Sequence, residues 1–120
     1  MKTADNKERY AMKVHYFATA GGKNLIFKYL DKLPNDQKAD GYAILKDLEL
    51  NGLSVLDGMD TRQLEGKLWE IKFYRHNRVM YVVVDSDNIY MLHACQKQKG
   101  KAEKFEIETA KDRAKGIIDI

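Results

Sequence analysis

The apolar positions of this chain change period along its length, dividing it into a helical front and a stranded back. Met12-Lys13-Val14-His15-Tyr16-Phe17 opens with the alternation of a strand, and Gly21-Gly22 breaks it. Leu25, Ile26, Tyr29, Leu30 and Leu33 then recur at helical spacing up to Pro34, where a helix must stop. Asn35 is the expected N-cap of a second helix carrying Ala39, Tyr42, Ala43, Leu45 and Leu48, which Asn51-Gly52 terminates. The apolar stripe of this αα-hairpin needs a sheet to cover. Residues 53–66 read as a long connection anchored by Leu56 and Leu64.

From Leu68 the period is two. Trp69, Ile71 and Phe73 fall on one face, Glu70 and Lys72 on the other. Residues 78–84 form a nearly continuous β-branched and aromatic run, expected of a central strand buried on both faces. Asp85-Ser86-Asp87-Asn88 is turn chemistry, and residues 89–95 return as the second strand of a hairpin. A last amphipathic helix, over about 102–116, lines up Phe105, Thr109, Ala110 and Ala114. The order β-α-α-β-β-β-α predicts a small α+β domain with a mainly antiparallel sheet. Residues 1–11 lack periodicity and are expected to be a disordered extension of a single domain over 12–120, with Met12 an alternative start.

Composition narrows the class. A length of 120 residues suits one domain, and 44% hydrophobic with 32% charged residues is ordinary for a soluble globule. No run approaches the ~20 apolar residues of a membrane span, and the polar start is unlike a signal peptide. A single Cys95 excludes an intramolecular disulfide and Cys-rich zinc spacings, and the cytoplasm is the expected compartment. His15, His76 and His93 fall on separate elements, so neither a metal nor a cofactor is expected. Nucleophile-elbow and Walker motifs are missing, and Cys95 reads as a small buried hydrophobe.

Charge is where the chain becomes informative. The net charge is only +3, yet residues 67–101 hold seven bases (Lys67, Lys72, Arg75, Arg78, Lys97, Lys99, Lys101) against three acids (Glu70, Asp85, Asp87). Such a stripe suits phosphate; it equally suits a solvated sheet edge whose lysines discourage edge-to-edge pairing. If the strands are adjacent, Lys72, Arg75, Arg78, His93, Lys97, Lys99 and Lys101 converge on one concave surface. Arg and Lys there would neutralise charge gathering on a phosphorane, and His93 would move protons. Tyr74, Tyr81 and Tyr90 offer flat faces to unstacked bases. Each has a plainer reading: Tyr81, Tyr90 and His93 as core, and Arg78 as the buried partner of Glu70. Spacing alone leaves a nucleic-acid binder and a nuclease tied.

A longer pattern separates them. Leu64 is followed by Leu68-Trp69-Glu70-Ile71-Lys72, then Arg78-Val79-Met80-Tyr81, then Leu92-His93 with Lys97 four residues on. Lys101, Glu106-Ile107-Glu108-Thr109-Ala110 and Arg113 close the series. From residue 12 to about 117 this resembles the HigB-like branch of the RelE/ParE toxin superfamily of type II toxin–antitoxin systems. The chain departs from that pattern at Lys72 (usually Arg), Ala94-Cys95 (Gly-Phe), Gln98 (Lys) and Glu103 (Pro).

The resemblance implies a RelE-like fold, with two N-terminal helices packed on a twisted sheet and a C-terminal helix. It implies a toxin that inhibits translation by metal-independent, ribosome-dependent mRNA cleavage. Arg75, Arg78, His93 and Lys97 would be catalytic, with His93 the proton-transfer group; Lys72, Tyr74, Lys99 and Lys101 would bind RNA. The implied partners are mRNA, the ribosome and a cognate antitoxin of helix-turn-helix type, with no membrane. A ParE-like gyrase poison and a catalytically inert nucleic-acid or antitoxin-binding module are the alternatives.

Overall fold

A computed structural model describes residues 10–120. Strand β1 (Lys13–Tyr16) leads into helix α1 (Leu25–Asp31) and helix α2 (Asn35–Asn51). A 3₁₀ helix (Leu53–Gly58) follows, then strands β2 (Asp60–Glu65), β3 (Leu68–Phe73), β4 (Asn77–Asp85) and β5 (Asn88–Gln96), and helix α3 (Gly100–Ala114). The sheet runs β1-β5-β4-β3-β2. The β1–β5 pairing is parallel and the other three are antiparallel, so the α+β architecture is built on a mixed sheet. The expected disordered extension falls largely on residues 1–9, outside the described residues; the Ala11 N–H donates to the Glu49 carbonyl at 2.7 Å.

Local chemistry fixes the helices. The Asn24 side chain caps α1 by accepting the Phe27 N–H at 2.9 Å. The expected Asn35 cap is displaced by one residue: Pro34 occupies the cap position with no side-chain bond, and Asn35 is already helical. Gly52, at φ 84, ends α2 in a conformation that a β-carbon would crowd. Gly41 is small for a different reason. A β-carbon there would lie 2.6 Å from Leu30 and 3.2 Å from the Phe73 ring, so α2 packs tightly on α1 and β3.

The two faces of the sheet are covered by different elements. Ile26, Leu30, Leu45 and Leu48 of the hairpin pack on Ile71, Phe73, Val79, Tyr81, Ile89 and Met91. On the other face Ala110 and Ala114 of α3 pack on Leu68, Met80, Val82, Leu92 and Cys95. β4 lies centrally, and its first six residues are buried, as its composition predicts.

A second expectation is corrected. The segment read as a connection over 53–66 contains the 3₁₀ helix and the edge strand β2. Asp-Thr-Arg-Gln-Leu-Glu has no buried residue, so it carries no apolar alternation to betray a strand.

Candidate nucleic-acid interface

The expected cations divide into two groups, one open to solvent and one beneath α3. The open group gathers where β3 turns into β4. Phe73 pairs with Asn77, and Asn77 with Gln96, so the 74–76 turn and the 97–101 segment leave the sheet at the same end. The Lys97 N–H donates to the His76 carbonyl at 2.7 Å and joins them. Tyr74, Arg75, Lys97, Lys99 and Lys101 are all exposed there. Among the described residues, no ion pair involves Arg75, Lys97, Lys99 or Lys101.

The turn beneath this rim is strained. Tyr74 and Arg75 lie at φ 50 and φ 62, in the left-handed region. That conformation costs a non-glycine residue about 1–2 kcal/mol, and persists when neighbouring contacts hold it. Those contacts are present. The Tyr74 hydroxyl donates to the Asp36 carboxylate of α2. Buried Asn77 donates to Gln37 Oε1 at 2.9 Å and accepts from the Tyr29 hydroxyl at 2.6 Å. The bond from Tyr74 also holds the Asp36 carboxyl below its ordinary range. The helical hairpin therefore fixes the turn that displays Arg75.

The second group has the same residue types and the opposite environment. Arg78 is fully buried and ion-paired to fully buried Glu70, its diagonal neighbour on β3. Arg78 Nη2 also donates to Glu103 of α3 at 3.0 Å. Arg62, from the unforeseen β2, donates to Glu70 at 3.0 Å and to Glu103 at 2.9 Å. Two guanidinium groups and two carboxylates thus close a ring of ion pairs, and the arginines hold the Glu103 carboxyl below its ordinary range. Among the described residues, Arg78 Nη1 has no hydrogen-bond partner. Lys72, half-buried, sits opposite Arg78 in the ladder, between the two groups.

A β-bulge brings His93 to the same face. Met80 pairs with His93 but Tyr81 pairs with Met91, leaving Leu92 as the extra residue. Leu92 and His93 are consecutive, yet Leu92 packs on α3 and His93 Nε2 lies 2.8 Å from Glu106 of α3. His93 Nδ1 lies 3.1 Å from Arg113 Nη1, which also donates to the Leu92 carbonyl at 3.1 Å. A guanidinium can only donate, so Nδ1 accepts and Nε2 carries the proton that Glu106 receives. Burial lowers the His93 pKa, outweighing Glu106, with Arg113 and Arg78 acting in the same direction as burial. The imidazole is held neutral with both nitrogens engaged.

That tautomer also decides a metal question. His93, Cys95 and Glu106 bring ligand atoms within 4.8 Å of one another. A metal at Nε2 would require the proton on Nδ1, donated outward, which the Arg113 contact opposes. Burial further pushes the Cys95 thiol up to about 12, far from the thiolate that a metal or a nucleophile needs. The cluster does not fit a metal as arranged.

Sequence reasoning missed Arg62, Glu103, Glu106, Arg113 and Asp36 as parts of these groups. The acid pair at 103 and 106, three residues apart on one helix face, was the available signal.

No curated protein matches the chain. The family model for phage-derived proteins of the Gp49-like type matches residues 28–115, from α1 to just past the end of α3. That span contains every member of both cationic groups. The chain belongs to the phage-derived Gp49-like (DUF891) family, a family of toxin-like proteins.

Proposed function

We propose that this protein is a RelE-like toxin of the HigB type, which halts translation by cleaving mRNA at the ribosome. The observation that carries the reading is the rim of Arg75, Lys97, Lys99 and Lys101. These exposed cations flank a strained turn, and no described acid pairs with them. Strain held by Asp36 and Asn77 is understandable if the turn must present Arg75 to a ligand.

The chemistry is transesterification. The ribose 2′-oxygen bonds to the adjacent phosphorus as the bond from phosphorus to the 5′-oxygen breaks, leaving a cyclic phosphate and a free 5′-hydroxyl. To act as the base, His93 must turn Nδ1 away from Arg113; it then accepts the 2′-hydroxyl proton there and, as imidazolium, returns a proton to the leaving oxygen. Arg75, Lys97 and Lys99 stabilise charge on the non-bridging oxygens, with Arg78 and Lys72 adding to the field. Tyr74 stacks on a base, and Lys101 holds the strand beside it. The ribosome orients the mRNA, so free RNA is cleaved only weakly. The cytoplasm is the site of action, and a helix-turn-helix antitoxin is the natural silencing partner.

Induced expression tests this directly. Translation should fall before DNA synthesis, and mapping of mRNA ends should reveal new 5′-hydroxyl termini. DNA breaks with intact mRNA would instead select the gyrase-poison reading; neither lesion would select an inert binding module.

A further inference from the structure

Helix α3 is attached differently at its two ends. Its fully buried residues, Ala110 and Ala114, lie in the C-terminal half. Residues 100–108 bury nothing fully, and Phe105 points outward with 68% exposure. Half-buried Ile107 is the apolar contact of this stretch with the core. What else holds it to the sheet is polar: Glu103 ion-paired to Arg62 and Arg78, and Glu106 hydrogen-bonded to neutral His93. The helix start has no side-chain cap, and Gly100 stands there at φ 59, where a change of direction meets little resistance. Beneath it, one nitrogen of the fully buried Arg78 side chain has no partner among the described residues.

We propose that Glu103 and Glu106 make the N-terminal half of α3 an acidic cover, standing where phosphate oxygens of an RNA strand would sit. The cover must lift before a phosphodiester can reach Arg78 and His93. This rests on the RNA-binding reading of the same site. A carboxylate and a phosphate oxygen compete for the same guanidinium donors. Docking on the exposed rim brings phosphate beside that contest, and the released stretch over 101–108 unwinds between Gly100 and the Ala110–Ala114 anchor.

The test uses the full chain and two probes, inorganic phosphate and a 2′-O-methyl RNA that cannot be cleaved. The double variant Glu103→Gln/Glu106→Gln should bind both about tenfold more tightly than wild type, the sum expected for the weak ion pairs of half-buried Glu103 with Arg62 and Arg78. Its amides over 101–108 should exchange faster while those over 110–114 stay protected. The control Glu108→Gln/Asp112→Asn removes the same charge from the solvent side of α3 and should change neither. Wild-type protein offers a second measurement: phosphate should speed exchange over 101–108 more than chloride at equal ionic strength. Unchanged exchange in that experiment, or equal tightening by the control, overturns the cover. If phosphate binding tightens selectively but the RNA binds no variant, the cover stands and the RNA reading falls. If RNA binds and depends on Lys97 without tightening in the double variant, the RNA reading stands and the cover falls.

Discussion

The basic rim and the buried ring beneath α3 contain the same kinds of side chain under opposite conditions. On the rim, cations stand in water around a turn that costs energy to hold. In the ring, Arg78 and Glu70 are shielded from water, and their mutual attraction must offset desolvation. A cation in water is available to a ligand and contributes little to the fold; a cation in the core is committed to the fold until a carboxylate lets go. Counting bases along the sequence cannot tell these roles apart.

The sharpest way to break the comparison is Arg78→Ala. It leaves Glu70 buried with only Arg62 beside it, so stability should drop by about 3–5 kcal/mol in urea unfolding. A loss within 0.5 kcal/mol, roughly the range for substitutions at unremarkable surface positions, would mean that the ring carries no more weight than the rim.

His93→Gln probes the boundary between the groups. The variant should stay folded while ribosome-dependent mRNA cleavage falls by roughly 10²–10⁴-fold, the usual contribution of a proton-transfer group. It also isolates a pH dependence. The folded pKa of His93 is lowered from 6.5 by burial, so the unfolded chain takes up its proton first as pH falls. The stabilising contribution is complete above about pH 6.5 and is lost as pH falls through the folded pKa. The stability of the wild type should therefore decline more steeply than that of His93→Gln below that pH, in matched thermal melts.

Rim substitutions should act on binding. In the triple variant Arg75→Ala/Lys97→Ala/Lys99→Ala, the logarithmic salt dependence of single-stranded RNA binding should become shallower by about 0.7 per lost phosphate contact. An unchanged slope would remove the rim from the interface. The smallest expected effect belongs to Lys97→Ala, which should alter unfolding stability by less than about 0.5 kcal/mol because the side chain is exposed.

Much of the fold was legible because its signals are local. Pro34 marks the start of α2 and Gly52 its end through their own backbone chemistry, and the apolar run in β4 announces a central strand. β2 was illegible because an edge strand with no fully buried residue and one apolar side chain has no hydrophobic period. The rim could be anticipated from the lysines after β5, although the left-handed turn displaying Arg75 could not. Neither Tyr74 nor Arg75 prefers that conformation; contacts from α1 and α2 impose it.

The sequence by itself determined the types of the elements that bury an apolar stripe, an α+β architecture and a concentration of positive charge in one segment. Only the tertiary structure decided which charges are free. Arg78 meets Glu103 from 25 residues away, and His93 meets Glu106 because a one-residue slip in the β4–β5 ladder turns two successive side chains to the same face. Ion pairing and burial depend on which surfaces meet after the chain folds, and a bulge reverses the alternation from which faces are read.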